Sequence, residues 1–181
     1  MELRAERTAD HDAVHELHRR AFGDHGDAVA RLVPALRDAD PEALSLVAEQ
    51  AGGIVGHVMF TRSLLDAPRR LVPVQVLSPL AVSPDRQRQG IGSALVRHGL
   101  RLLDARGVPA VFLEGDPAYY RRLGFTAAGA RGFRRPSLRI PEPAFQVMTL
   151  AGYEPWMTGT LVYSATFWEK DCVGLREDAV A

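Results

Sequence analysis

Two glycines behind a turn crowded with arginine and glutamine are the residues whose types and spacing first suggest chemistry. They lie in residues 74–97, VQVLSPLAVSPDRQRQGIGSALVR. Gly90 and Gly92 stand where a helix would begin, with Ala94, Leu95 and Val96 continuing its apolar side. A helix start carries N–H groups without intrahelical partners, and its dipole favours negative charge. Glycines there remove the Cβ atoms that would hold a phosphate away from the backbone. Arg86 and Arg88 add positive charge beside the same point. The local chemistry is that of a phosphate-bearing ligand. A Walker-type loop is excluded, because no lysine follows the glycines. A dinucleotide fingerprint fails at its last position, where Leu95 stands in place of glycine or alanine.

The elements that must position this loop follow from apolar patterning. Val74, Val76, Leu77, Leu80, Ala81 and Val82 form a strand-like run that Ser83-Pro84-Asp85 ends. The helix runs from Gly90 to Arg106, with Ile91, Leu95, Leu102 and Leu103 buried, and Gly107 and Pro109 stop it. Residues 110–113, AVFL, read as a buried strand, and strand–helix–strand order implies parallel pairing with the strand at 71–82. Asp116 then caps a short helix with Pro117 as its first residue; Tyr119, Tyr120 and Leu123 lie on it and Gly124 closes it.

Upstream, residues 2–7 read as a strand, and Thr8 as the cap of a helix carrying Val14, Leu17 and Ala21. A second helix carries Val29, Leu32, Val33 and Leu36. Residues 44–49 and 54–65 form a hairpin across Gly52-Gly53. Downstream, residues 129–143 are rich in Arg, Gly and Pro and read as a mobile loop. Strands follow at 145–150 and 159–163, and 170–181 reads as a loose tail.

Gln87-Arg88-Gln89-Gly90-Ile91-Gly92 matches Gln/Arg-x-x-Gly-x-Gly/Ala and resembles the acyl-CoA pyrophosphate loop of the GNAT N-acetyltransferases. Pro79-Leu80-Ala81-Val82 before it and Tyr120-Arg121-Arg122-Leu123-Gly124-Phe125 after it, in the same order, look like that family too. Gly115 to Tyr120, Pro143-x-Phe145 and Gly159-Thr160-Leu161-Val162-Tyr163 are similar to its YhbS-like branch. The resemblance spans most of the chain, with its core at 71–125, and implies an α+β fold: a mixed sheet of about six to seven strands flanked by helices, in one domain over 1–181. It implies acetyl-CoA as co-substrate, no metal, and direct acetyl transfer to a primary amine of a small molecule, peptide or protein. By resemblance, Gln87, Arg88, Gln89, Gly90, Ile91, Gly92 and Ser93 surround the diphosphate. Main-chain groups of Leu80, Ala81 and Val82 pair with the pantetheine arm, and the strands at 71–82 and 110–113 splay to admit the acyl chain.

Tyr120 occupies the family position of the tyrosine that protonates the leaving thiolate, with Tyr119 as the register alternative. A phenol can make that donation. Some members carry a Glu or His base on the central strand; here Val74, Gln75, Val76, Leu77 and Ser78 offer no ionisable group. His57 on the neighbouring strand, Glu114 at the end of the next, and a water relay are the alternatives. The missing central-strand base also motivates a second reading, a non-catalytic acyl-CoA-sensing module. Phe22, His25 and Asp27 are expected to line the acceptor pocket. Arg131, Arg134, Arg135 and Arg139 read as a solvated positive loop, within reach of an anionic acceptor or the CoA ribose phosphate. His11, His15 and His18 read as a solvated helix face rather than a metal site.

Lysine plus arginine and aspartate plus glutamate both number 22, which argues against nucleic acid and anionic membrane as general partners. Cys172 is the only cysteine, so no intrachain disulfide is possible, and it reads as an incidental thiol. No apolar stretch approaches the ~18–20 residues of a membrane span, and the first residues lack an apolar signal core. A cytoplasmic protein of bacterial type is expected; a homodimer is left open.

Overall fold

A computed structural model describes residues 1–174, and its strands join one mixed sheet. They are β1 (Glu2–Ala5), β2 (Leu44–Gln50), β3 (Gly53–Asp66), β4 (Leu71–Val82), β5 (Ala110–Glu114), β6 (Thr126–Ala127), β7 (Phe133–Arg134), β8 (Phe145–Thr149) and β9 (Gly159–Val162). The helices are α1 (His11–Ala21), α2 (Gly26–Ala39), α3 (Ile91–Ala105), α4 (Pro117–Tyr120) and α5 (Ala165–Glu169). The sheet runs β1-β2-β3-β4-β5-β8-β6, and β9 pairs with both β3 and β7. Among the described residues only β4–β5 and β7–β9 pair in parallel.

Nine strands among the described residues exceed the six to seven expected, because β6 and β7 are two-residue strands that periodicity does not reveal. The reading of 129–143 as a mobile loop is also corrected. Phe133 and Ile140 are fully buried and pin that segment to the core. Residues 170–174 are no loose tail either: Val173 is buried, and the rest of the expected tail lies outside the described residues.

The two-residue period of the central strands divides the core. Val47, Met59, Val74 and Val76 pack with Val14, Leu32, Val33 and Leu36 of α1 and α2. On the opposite face Leu46, Val58, Phe60 and Leu77 pack with Ile91, Leu95, Val96 and Leu103 of α3. Gly99 lets α3 lie close to the sheet, since a Cβ there would stand 2.2 Å from Phe60 Cε2.

Two irregularities shape the centre. The β3–β4 register shifts between Val58 and Phe60, which face Leu80 and Leu77, so Ser78 and Pro79 share one partner position. Proline cannot donate to a ladder, and a bulge is where a strand tolerates it. Secondly, β4 and β5 pair only at Gln75–Val111 and Val76–Phe112, then separate while both strands continue. That opening is the splay that the resemblance implied.

The first helical turn is tied down by charge. Thr8 opens a short 3-10 turn, and Asp10 is its anchor, with Oδ2 accepting from Arg7 N at 2.7 Å. Arg4 donates to both Asp10 oxygens, at 2.6 and 2.9 Å, and to Glu49. The Arg4 hydrogen bonds hold the Asp10 carboxyl down at about 2. Because the folded value lies below the unfolded one, this stabilisation is present above about pH 4 and is lost as pH falls toward 2. Asp10→Asn should therefore cost on the order of 1–2 kcal/mol at pH 7 and flatten the acid limb of stability, as read by urea unfolding at a series of pH values.

Candidate active site

The loop between β4 and α3 turns on two residues in the left-handed region, Arg88 at φ 60° and Gly90 at φ 84°. Gly90 suits that geometry; Arg88 accepts it at a cost. Gln87 Nε2 donates to Val82 O at 3.2 Å and Ser83 Oγ to Asp85 Oδ1 at 2.5 Å, which moors the loop to the strand end. The first bond of the α3 ladder runs from Ala94 N to Gly90 O at 2.9 Å. The amides of Ile91, Gly92 and Ser93 precede it, at the positive end of the helix. A Cβ at Gly92 would stand 2.7 Å from Tyr119 Oη and 3.4 Å from Val82 Cγ2, so a side chain would fill the cradle in front of those amides. Ser93 Oγ lies 3.5 Å from the same phenol.

Below the cradle, the β4–β5 opening leads into a cavity of about 630 Å³. β4 contributes Val76 to Leu80, β5 ends in it at Glu114, and Tyr120 of α4 closes one side. Tyr119 and Tyr120 are thereby separated in role: the first reaches the α3 cradle, the second faces the cavity. The Tyr120 ring meets Tyr119 and Phe125 edge-on, at 4.9 and 5.7 Å, and lies against Gly115. A Cβ on Gly115 would come within 2.4 Å of Tyr120 Cε2. Burial pushes the Tyr120 phenol well above its usual range, so it remains a proton donor. Gly115→Ala should displace this ring. Steady-state assays are expected to show at least a ~10-fold lower kcat while acetyl-CoA affinity, read by calorimetry, stays within about 3-fold.

Glu114 is one of three acidic residues among the described residues that line the cavity, with Asp116 and Asp171. Its Oε1 accepts from Tyr163 Oη at 2.8 Å and its Oε2 from Gly174 N at 3.0 Å. Burial raises its carboxyl above the ordinary value, against the opposing pull of those two donors. Such a group can receive a proton from a cationic amine.

His57 sits elsewhere, on the sheet face under α1 and not on the cavity wall. Ser45 donates its hydroxyl proton to Glu6 Oε2 at 2.6 Å, so it accepts from His57 Nε2 at 2.8 Å. His57 Nδ1 then accepts from His18 Nε2 at 2.7 Å. Burial drives His57 down to about 3 and His18 to about 2, so both stay neutral. His18 is thus a core residue, which corrects its reading as part of a solvated helix face. As a base, His57 has neither access nor a free nitrogen.

Residues 2–128 match the family model described as an acetyltransferase (GNAT) domain. This chain belongs to the GNAT acetyltransferase family. It is 36% identical over 170 residues to YjhQ of Escherichia coli K12, named an uncharacterized N-acetyltransferase, covering 84% of this chain and 92% of that one. Against YhbS of the same organism, also named an uncharacterized N-acetyltransferase, identity is 38% over 154 residues, covering 83% and 88%. The crystal structure of E. coli YhbS in complex with CoA superposes with a TM-score of 0.82 at 35% identity, covering 92% of this chain and 91% of that one. A GNAT acetyltransferase from Brucella melitensis in complex with acetyl-CoA gives 0.73 at 32% identity, covering 92% and 97%.

Within this GNAT fold, the expected site residues divide by place. Residues 87–93 form the loop and helix start, and Leu80 to Val82 pair with β3 on one edge while β5 has left the other. Phe22 and His25 reach the cavity wall; Asp27 is not among its lining residues. Arg134 donates to Thr160, Arg135 pairs with Glu142, Arg139 with Asp171, and Arg131 lies over the Tyr153 ring, so this loop is engaged with the protein rather than simply solvated. Tyr163, Phe167, Cys172 and Gly174 were missed as wall residues. No local pattern marks them, because the Gly174–Glu114 bond joins positions 60 residues apart.

Proposed function

We propose that this acetyltransferase moves an acetyl group from acetyl-CoA directly to a primary amine held in the cavity below the α3 cradle. The observation that carries the reading is the early end of the β4–β5 ladder, beyond which Val76 to Leu80 and Glu114 line one cavity together with Tyr120. Ligand-bound structures of two relatives, one with CoA and one with acetyl-CoA, support it. The diphosphate meets the amides of residues 88–93, where helix-start N–H groups favour an anion. The pantetheine arm runs along the free edge of Leu80 to Val82 as an added strand would.

The acceptor comes from the side of Phe22 and His25. Glu114 takes a proton from its ammonium form, and the neutral nitrogen attacks the thioester carbonyl carbon. As the C–S bond breaks, Tyr120 gives its proton to the departing thiolate sulfur, the nitrogen's surplus proton passes to the Tyr120 oxygen and restores the phenol, and Glu114 gives up its proton to solvent, leaving CoA and an acetylated amine. Placing both groups against one bound thioester lowers the barrier by fixing orientation. No protein nucleophile is required. Glu114 also supplies the base whose absence from β4 motivated the sensor reading. The enzyme acts in the cytoplasm.

Thiol release from acetyl-CoA over a panel of primary amines tests this reading. Amine-dependent release, with product heavier by one acetyl group, is expected. Tight CoA binding with no release from any amine would instead favour a sensor.

A further inference from the structure

The cavity wall carries a charge pattern that bears on which amine is used. Glu114, Asp116 and Asp171 are the acidic residues among its described lining residues, and Asp171 pairs with Arg139 at 3.6 Å. No lysine or arginine lies among its described lining residues; His25 is the one basic side chain there. Phe22, Val29, Leu32, Leu77 and Phe167 give the wall an apolar side, beside the hydroxyl-bearing Ser78, Tyr120 and Tyr163. Asp116 is already used once, its Oδ1 accepting from Ala118 N at 2.8 Å. The arginines of 131–139, which could have received an anionic substrate, point their charge at Thr160, Glu142, Asp171 and Tyr153.

We infer that the acceptor is an apolar-bodied primary amine bearing no carboxylate or phosphate: an aralkyl- or alkylamine rather than an amino acid. This rests on the acetyl-transfer reading of the same cavity. A cationic amine that passes His25 finds the acidic residues Glu114, Asp116 and Asp171 on the wall, and its body covers Phe22, Val29 and Phe167. A carboxylate attached beside the amine would stand against Glu114 and Asp116 with no lysine or arginine among the described lining residues to receive it, and like charges in a partly dry cleft repel strongly.

Three acceptors of matched ring and chain test the inference at saturating acetyl-CoA: phenethylamine, phenylalaninol and phenylalanine, followed by CoA release. Phenylalanine has a more acidic ammonium group than phenethylamine, so a poorer rate cannot come from lack of neutral amine. The first two should be turned over, with kcat/KM for phenylalanine at least about 10-fold lower. Phe22 is 36% exposed, so arginine is tolerated there. Phe22→Arg should narrow the gap to about 3-fold or less by supplying the missing cation. Phenylalanine used as well as phenethylamine would overturn the inference and leave acetyl transfer standing. No release from any of the three, with acetyl-CoA still bound by calorimetry, would also overturn it, because phenethylamine meets every stated requirement. Loss of acetyl-CoA binding as well would take down the transfer reading with it.

Discussion

Gly92→Asp is expected to weaken CoA binding by at least about 100-fold, roughly 2.7 kcal/mol, as read by calorimetry. Two effects act together. The new side chain occupies the cradle in front of the α3 amides, and its carboxylate takes the positive helix end that the diphosphate would use. The fold should survive. The nearest obstacle to the new Cβ is Tyr119 Oη at 2.7 Å, the far end of a side chain that can yield. An aspartate in the first turn of a helix is itself favourable. Thermal unfolding should therefore stay within a few degrees of the parent while affinity collapses. Gly92→Ala, which adds bulk without charge, should fall between the two.

Tyr120→Phe should lower kcat about 100-fold with the KM for acetyl-CoA changed less than about 3-fold, the signature of a group used in the chemical step. Tyr119→Phe, altered at the neighbouring ring whose hydroxyl reaches Ser93 rather than the cavity, should retain most of its kcat. The pH dependence gives a second reading of the same site. Since burial holds the Tyr120 phenol well above its usual range, the donor stays protonated through alkaline pH, and no loss of rate is expected from its ionisation there. In the proposed mechanism Glu114 acts deprotonated, so the rate should rise with pH through a value above the ordinary carboxylate range, set by its burial. Glu114→Gln should lower kcat and remove that limb. Equal kcat for the parent and Tyr120→Phe would remove the tyrosine from the mechanism.

The part of the site that the sequence made legible is the part built from neighbours. Gly90 in the left-handed region, the Arg and Gln turn and the start of α3 fall within a few residues of one another. Their chemistry can be read from residue type and spacing. The short α4 was equally plain, because Asp116 and Pro117 are its own cap and first residue. Its two tyrosines, though, could be told apart only by where each ring points. What remained hidden depends on long-range closure. Glu114 is held by Tyr163, 49 positions away, and by Gly174, 60 away. His18 and His57 meet across 39 positions, which turned a helix-face histidine and a base candidate into one buried, neutral pair. The 129–143 segment looked mobile from its Arg, Gly and Pro content. Yet Phe133 and Ile140, two apolar side chains in a polar stretch, hold it to the core. β6 and β7 are too short for a two-residue period to register.

A crystal structure with acetyl-CoA bound tests the central claim most directly. The account predicts diphosphate oxygens within hydrogen-bond distance of the amides of Ile91, Gly92 and Ser93, and a thioester lying between β4 and β5 with its sulfur beside the Tyr120 hydroxyl. A diphosphate bound away from the start of α3, or a thioester outside the β4–β5 opening, would contradict it.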